Sequence, residues 1–263
     1  MKLELHDVSK IFHTRRGDTA ALKDITFDVA PGEFVCLLGP SGCGKSTLLN
    51  IIAGLEQPDS GEVLVDGQPV VEPGPDRVIM FQESALFPWL SVRANVAFGL
   101  AMTGVPHAER MKKADYYLKL VRLGSFHKAY VHELSGGMKQ RVALARALAL
   151  ETKVLLMDEP FAALDAQTRD ILHDELQDIW AQTGKTIVFV THNVREALVL
   201  GDRVLLMSAR PGRLKRDFRC GLPRPRHIED HALVDAAREV LADLRDEVMA
   251  AAREEVEHER LAT

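Results

Sequence analysis

Cysteine is scarce in this chain, long apolar runs are missing, and basic residues are not in excess. Its three cysteines among 263 residues, Cys36, Cys43 and Cys220, are scattered. Their spacing fits neither a zinc site nor a disulfide framework, so reduced thiols are expected. No apolar stretch approaches the roughly 20 residues needed to span a bilayer. The Met1 to Lys10 start has no signal-peptide core, and a cytosolic chain is expected. A net charge of −5 argues against a polyanionic partner such as nucleic acid. Internal repeats and low-complexity segments are also lacking. The 46% of hydrophobic residues is ample for a sizeable core.

Against these absences stands the run LSGGMKQR, Leu134 to Arg141. Ser135 is a good helix N-cap, Gly136 and Gly137 allow another molecule close to the backbone, and Val142, Leu144, Ala145 and Leu148 give the following helix a buried side. Free N–H groups at such a helix start attract anions. The run holds no base and no metal ligand, so it can grip a phosphate without transforming it.

Upstream, Gly39, Pro40, Ser41, Gly42, Cys43, Gly44, Lys45, Ser46 and Thr47 read GPSGCGKST after the apolar run Phe34 to Leu38. This is G-x-x-x-x-G-K-[ST] in its required context of strand, loop and helix. There the loop amides cradle phosphates, Lys45 reaches the β and γ phosphates, the Ser46 hydroxyl ligates Mg²⁺, and Thr47 adds a second hydroxyl. By itself such a loop leaves kinase, GTPase, motor and transporter ATPase open.

Further along, VLLMDEP, Val154 to Pro160, is an apolar run suited to a doubly buried parallel strand with two carboxylates at its end. Asp158 is suited to the Mg²⁺ shell and Glu159 to polarising the water that attacks the γ-phosphate. Thr186 to Val190 is a second such strand, ending in Thr191 and His192, from which the imidazole can reach the γ-phosphate. Gln82 follows the short apolar strand Val78 to Phe81, where a neutral amide can ligate Mg²⁺ or orient water.

The patterning gives an α/β fold with a mostly parallel core sheet. Alternation in Leu3, Leu5 and Val8, and again in Leu22, Ile25, Phe27 and Val29, predicts antiparallel strands around a polar loop, Thr14 to Asp18. Asp66-Gly67 after Val63 to Val65 is a hairpin signal. Residues from about 84 to 150 turn helical, with helices near Ala108 to Leu123 and Lys139 to Leu150. Later helices are expected across Asp170 to Gln182 and Val194 to Leu200, with a strand at Val204 to Met207. After the linker CGLPRPR, Leu233, Ala237, Val240, Leu244, Val248 and Ala252 mark one long amphipathic helix.

The ordered set GPSGCGKST, Gln82, LSGGMKQR, VLLMDEP, Asp165 and His192 resembles the ATP-binding subunit of an ABC transporter. The resemblance implies a P-loop ABC ATPase domain over 1–220, with an N-terminal antiparallel β subdomain, an inserted α-helical subdomain at about 84–150, and a linker plus C-terminal amphipathic helix at 221–263. It makes Lys45 and Ser46 the Walker A site, Gln82 the Q-loop, Asp158 and Glu159 Walker B, Asp165 the D-loop and His192 the switch histidine. Phe12 stands where such domains place an aromatic that stacks on adenine. Two positions depart from the common pattern, Asn193 after the switch histidine and Ala162 before the D-loop.

The resemblance further implies that Ser135, Gly136 and Gly137 clamp the γ-phosphate of ATP held by a second ATP-binding subunit, a twin or a sister. It implies ATP hydrolysis with Mg²⁺ at the cytoplasmic face of the inner membrane, driving separate transmembrane permease subunits to which a binding protein delivers solute. Phe87, Pro88 and Trp89 are the expected docking edge for the permease. That phrase, with SARPGR at Ser208 to Arg213 and LPRPR near the tail, is similar to the nitrate, sulfonate and taurine branch of importers. The alternative is a non-transport ABC ATPase acting as a regulatory or nucleic-acid-associated switch. A single P-loop, and only about ninety residues between Lys45 and Ser135, disfavour its nucleic-acid form.

Overall fold

The computed structural model describes residues 2–14 and 17–261, with side chains through 249. Met1, residues 15 and 16 of the anticipated polar loop, the side chain of Ala252 and residues 262–263 of the tail lie outside that description. Elements follow in the order β1 (Leu3–Thr14), β2 (Gly17–Val29), β3 (Phe34–Leu38), α1 (Lys45–Ala53), β4 (Ser60–Val65), β5 (Gln68–Pro69), β6 (Arg77–Met80) and α2 (Val92–Met102). Then come α3 (His107–Leu120), α4 (Gly136–Ala149), β7 (Val154–Asp158), α5 (Ala166–Thr183), β8 (Thr186–Thr191), α6 (Val194–Leu200), β9 (Arg203–Met207), β10 (Leu214–Arg219) and α7 (His231–Leu261). They divide into two compact units, one of Met1–Gly74 with Gly184–Thr263 and one of Pro75–Thr183.

In the first unit, β2, β1, β4 and β5 form an antiparallel sheet in that order. Leu3, Leu5 and Val8 on β1 and Leu22, Ile25, Phe27 and Val29 on β2 are buried, as their alternation requires. The polar loop between these strands is shorter than its composition suggests. Strand pairing continues to His13↔Asp18 and Thr14↔Gly17, held by His13 Nδ1 with Asp18 Oδ1 at 2.7 Å and by Thr14 Oγ1 donating to the Gly17 carbonyl at 2.8 Å. At the β4–β5 hairpin both Asp66 (φ 51°) and Gly67 (φ 76°) are left-handed, which is the geometry of a type I′ turn.

β3 lies parallel to both β8 and β9 in the same unit. Every residue of these three strands is buried, which explains their continuous apolar runs. The sequence LKRDFR hid β10, which pairs antiparallel with β9 as an edge strand. Two of its charges have partners on α7, where Arg216 pairs with Glu239 and Asp243 and Lys215 with Glu247, while Asp217 pairs with Arg203 of β9. α7 buries Leu233, Ala237, Val240 and Leu244 and packs against α6, while Val248, which fits the same periodicity, is exposed.

In the second unit β6 and β7 pair in parallel, Met80 opposite Met157. The strand ends at Met80 rather than at Phe81, whose ring is exposed. α2, α3 and α4 pack on one another and α4 also on α5 and β6. α2 is a separate helix within the region expected to be helical. Ser91 starts it by accepting the Ala94 N–H at 3.3 Å. α5 begins earlier than its apolar pattern, because Asp165 accepts from the Thr168 backbone N–H at 2.9 Å and from its hydroxyl at 2.7 Å.

Candidate functional site

Parallel register aligns the candidate residues along strand ends. In the first unit Leu38 pairs with Thr191, so Gly39 and His192 leave adjacent strands at one carboxyl edge. In the second, Met80 pairs with Met157, so Gln82 lies two residues beyond one strand end while Asp158 and Glu159 close the other. Carboxyl edges are where open α/β sheets bind ligands.

The loop from Gly39 to Gly44 is shaped by what glycine alone permits. A Cβ at Gly39 would lie 2.8 Å from Cys43 Sγ and 3.0 Å from the Met207 carbonyl oxygen. Gly44 caps α1 with φ 94°, and a Cβ there would stand 2.8 Å from the Ala21 carbonyl oxygen. Lys45 is buried, and its ammonium donates to the carbonyls of Gly39 and Pro40, each at 2.8 Å. The lysine is thereby fixed inside the curl of its own loop. Burial pushes the Cys43 thiol up, against the pull of Lys45. Ser46, in the first turn of α1, is exposed.

His192 is exposed just beyond β8. Thr191, buried beneath it, donates its hydroxyl to Glu196 and accepts the Asn193 N–H at 3.0 Å. Asn193 caps α6 through Oδ1, which accepts from the N–H groups of Arg195 at 3.0 Å and Glu196 at 3.4 Å. The departure from aspartate therefore keeps the cap, since asparagine and aspartate cap about equally well. Phe12 is exposed on β1 opposite Thr19, with Lys10 Nζ 5.5 Å from its ring centre.

In the second unit Ser135 caps α4, its hydroxyl accepting the Met138 N–H at 3.3 Å. Gly136 is exposed, and among the described residues a Cβ there would meet only Leu164 Cδ2, at 3.5 Å. Gly137 is buried, and a Cβ would press to 2.5 Å of the Thr168 methyl. Of the two glycines, only Gly136 leaves open space above the helix start. Glu159 has φ 42°, a left-handed backbone that costs a non-glycine residue on the order of 1–3 kcal/mol. The N–H and hydroxyl of Thr168 hold the Asp165 carboxyl below its ordinary range. Ala162, the second departure, donates its N–H to the Glu159 carbonyl at 3.1 Å, a bond any residue but proline can make.

Three side chains escaped sequence reasoning because each is a polar residue inside an apolar helical pattern. Asn95 is fully buried on α2; its Oδ1 accepts the Phe87 N–H at 2.8 Å and its Nδ2 donates to the carbonyls of Phe87, Leu90 and Ser91. Gln140 donates to the Gln82 carbonyl at 2.9 Å. Arg146 donates to the carbonyls of Ala85 and Ser84, each at 2.8 Å, and lies over the Phe87 ring at 5.8 Å. Around Phe87 gather Phe98 at 4.4 Å and Trp89 at 5.5 Å, Trp89 being 71% exposed.

The ABC transporter family model matches residues 22–162. Among known proteins, the nitrate import ATP-binding protein NrtD of Synechocystis is 52% identical over 85% of this chain and 84% of its own length. The taurine import ATP-binding protein TauB of Roseobacter denitrificans is 48% identical over 82% of this chain and 81% of its own. A solved dimeric ATP-binding cassette, in a post-hydrolysis state with ADP and Pi, has a TM-score of 0.73 and 33% identity over 84% of this chain and all of that one. With a family model covering more than half of the chain and relatives aligned over most of it, the chain belongs to the ABC transporter family and is one of its ATP-hydrolysing cassettes.

Proposed function

We propose that this ATPase energises import of a small oxyanion or organosulfonate, such as nitrate, taurine or another aliphatic sulfonate, through separate permease subunits at the cytoplasmic membrane face. A solute-binding protein supplies the substrate. The observation that carries the ATPase half is the Gly39–Lys45 curl, a buried ammonium seated among loop carbonyls where phosphate oxygens would compete for it. The identities to nitrate and taurine import proteins favour the substrate class. Division into one ATPase domain over 1–220, with its helical insert at about 84–150 and a tail at 221–263, belongs to the same reading.

Lys45 binds the β and γ phosphates and Phe12 the adenine. Ser135 and Gly136, exposed at the α4 start, address the nucleotide of a second copy, with Gly137 supporting them from below. Asp165 sits in the D-loop, Glu159 takes the proton of the attacking water, and His192 stabilises the γ-phosphate. Ser46, Gln82 and Asp158 offer only oxygen donors, a set that fits a hard cation, and would hold Mg²⁺. Bound with ATP, Mg²⁺ neutralises charge on the phosphate oxygens. Phe87, Pro88 and Trp89 form the permease edge.

Two measurements test this. Glu159→Gln should lower hydrolysis on the order of 10²–10⁴-fold, leave ATP affinity intact and trap an ATP-bound dimer; hydrolysis at the wild-type rate removes Glu159 from its role. The ATPase is then assayed in membrane vesicles with the permease subunits that co-purify with it and their solute-binding protein. Stimulation by nitrate, taurine or an alkanesulfonate is expected, and stimulation by unrelated solutes alone refutes the substrate class.

A further inference from the structure

Gln140 is 5% exposed on α4, and its amide does one thing among the described residues: Nε2 donates to the Gln82 carbonyl, while buried Oε1 has no hydrogen-bond partner. The amide orientation is fixed chemically, because a carbonyl oxygen can be met only by the –NH₂ end. An unpartnered buried acceptor destabilises a fold, and an apolar side chain of similar size would remove that burden. A glutamine kept under this handicap is better explained by what its donor does for Gln82 than by stability. The same helix grips the following residues as well. Arg146 takes the carbonyls of Ser84 and Ala85, the latter at φ 42°, and covers Phe87. Side chains of α4 thus fix the backbone carbonyls at 82, 84 and 85, and α4 is the helix that Ser135 begins.

We infer that Gln140 is a positioning residue for hydrolysis: through its amide, the helix that starts at Ser135 sets the posture of Gln82. The inference deepens the proposed function and rests on the role given there to Gln82. Arg146 holds the adjoining turn in register, so displacement of the Phe87 edge and displacement of Gln82 are both felt by one helix.

A double-mutant cycle in the full-length chain tests it, with kcat, ATP affinity and thermal unfolding measured for Gln140→Leu, Gln82→Ala and the pair. Gln140→Leu is expected to lower kcat on the order of ten- to hundredfold, the size of effect that small misplacements produce. It should leave ATP affinity within twofold and the melting temperature unchanged or higher. On the Gln82→Ala background the same change should alter kcat by less than twofold. Full additivity in the cycle, or a wild-type kcat for Gln140→Leu beside a slowed Gln82→Ala, overturns the inference alone. A wild-type rate for Gln82→Ala instead removes the role of Gln82, and the inference falls with it. Gln140→Met supplies a second, unbranched replacement; a drop in melting temperature that tracks the loss of kcat in both variants would make Gln140 structural and overturn the inference.

Discussion

The phosphate loop of the first unit and the Gln82–Trp89 segment of the second are held in opposite ways. Around Gly39–Lys45 the constraints are mostly backbone: Gly44 lies against the Ala21 carbonyl, Gly39 against that of Met207, and a Cβ on Gly212 would reach 2.1 Å from the Cys43 carbonyl oxygen. Gly212 itself is tied on both sides, to Ala21 at 3.0 Å and Lys23 at 2.9 Å, through main-chain bonds. From Gln82 to Leu90 the constraints are mostly the side chains of Gln140, Arg146 and Asn95. Main-chain packing leaves a loop one arrangement, whereas side-chain bonds can be exchanged at little cost in fold. On the proposed reading the first region binds and the second is adjusted.

Losing the central cation of the first region should give the largest effect on binding. Lys45→Ala is expected to weaken MgATP binding about 10²-fold or more, in the range seen when one partner of a buried, hydrogen-bonded charge contact is removed. Ser135→Arg, at the start of α4 in the second region, should abolish hydrolysis while ATP affinity stays within twofold. Equilibrium binding of a fluorescent ATP analogue, beside phosphate release, separates the two. If Ser135→Arg weakens binding as Lys45→Ala does, the division between a binding region and an adjusting region fails.

Glycine substitutions sharpen the contrast at an intermediate scale. Gly44→Ala must place a Cβ against the Ala21 carbonyl at a left-handed φ and should destabilise by about 2–4 kcal/mol. Gly136→Ala meets only ordinary contact with Leu164 and should change stability by no more than about 0.5 kcal/mol. Its hydrolysis should nevertheless fall at least tenfold, because the space over Gly136 is where the second copy's nucleotide is expected to approach. Urea unfolding gives the stabilities, and an unaffected rate in Gly136→Ala would show that its openness serves nothing.

The same difference explains what could be read from sequence. Gly39 and Gly44 advertise themselves because backbone geometry restricts those positions to glycine, and Lys45 and Ser46 because an ammonium and a hydroxyl stand at a fixed spacing after them. Strands β3, β7 and β8 were equally legible as apolar runs, and the cap at Ser135 as a hydroxyl before glycine. Gln140 and Arg146 were not, since the carbonyls they hold lie far along the chain, and Asn95 was not, since its nearby partners are loop carbonyls that no apolar period marks. β10 stayed hidden because two of its charges are answered by α7 rather than by its own neighbours in sequence. A polar residue amid a buried helical face was the one available signal, and it names no partner.

The smallest effect concerns a side-chain latch behind the phosphate loop. Glu247 on α7 accepts the Ala209 N–H at 2.9 Å and pairs with Lys215 at 2.8 Å; Ala209 precedes Arg210, whose Nε lies 3.4 Å from the Gly42 carbonyl oxygen. Burial pulls the Glu247 carboxyl up, but the Lys215 and Ala209 bonds outweigh it and leave its pKa lowered from 4.5. A carboxyl with a depressed folded pKa contributes stability that is present above its unfolded pKa and lost as pH falls through the folded one. Wild-type protein should therefore melt above Glu247→Gln at pH 7, by a margin worth under about 1 kcal/mol, and the margin should shrink as pH falls below 4.5. If ATP affinity also drops in Glu247→Gln, side-chain contacts help to hold the first region as well, and its contrast with the second becomes one of degree. A melting gap that persists unchanged at pH 3.5 would mean that the latch works by packing rather than by charge.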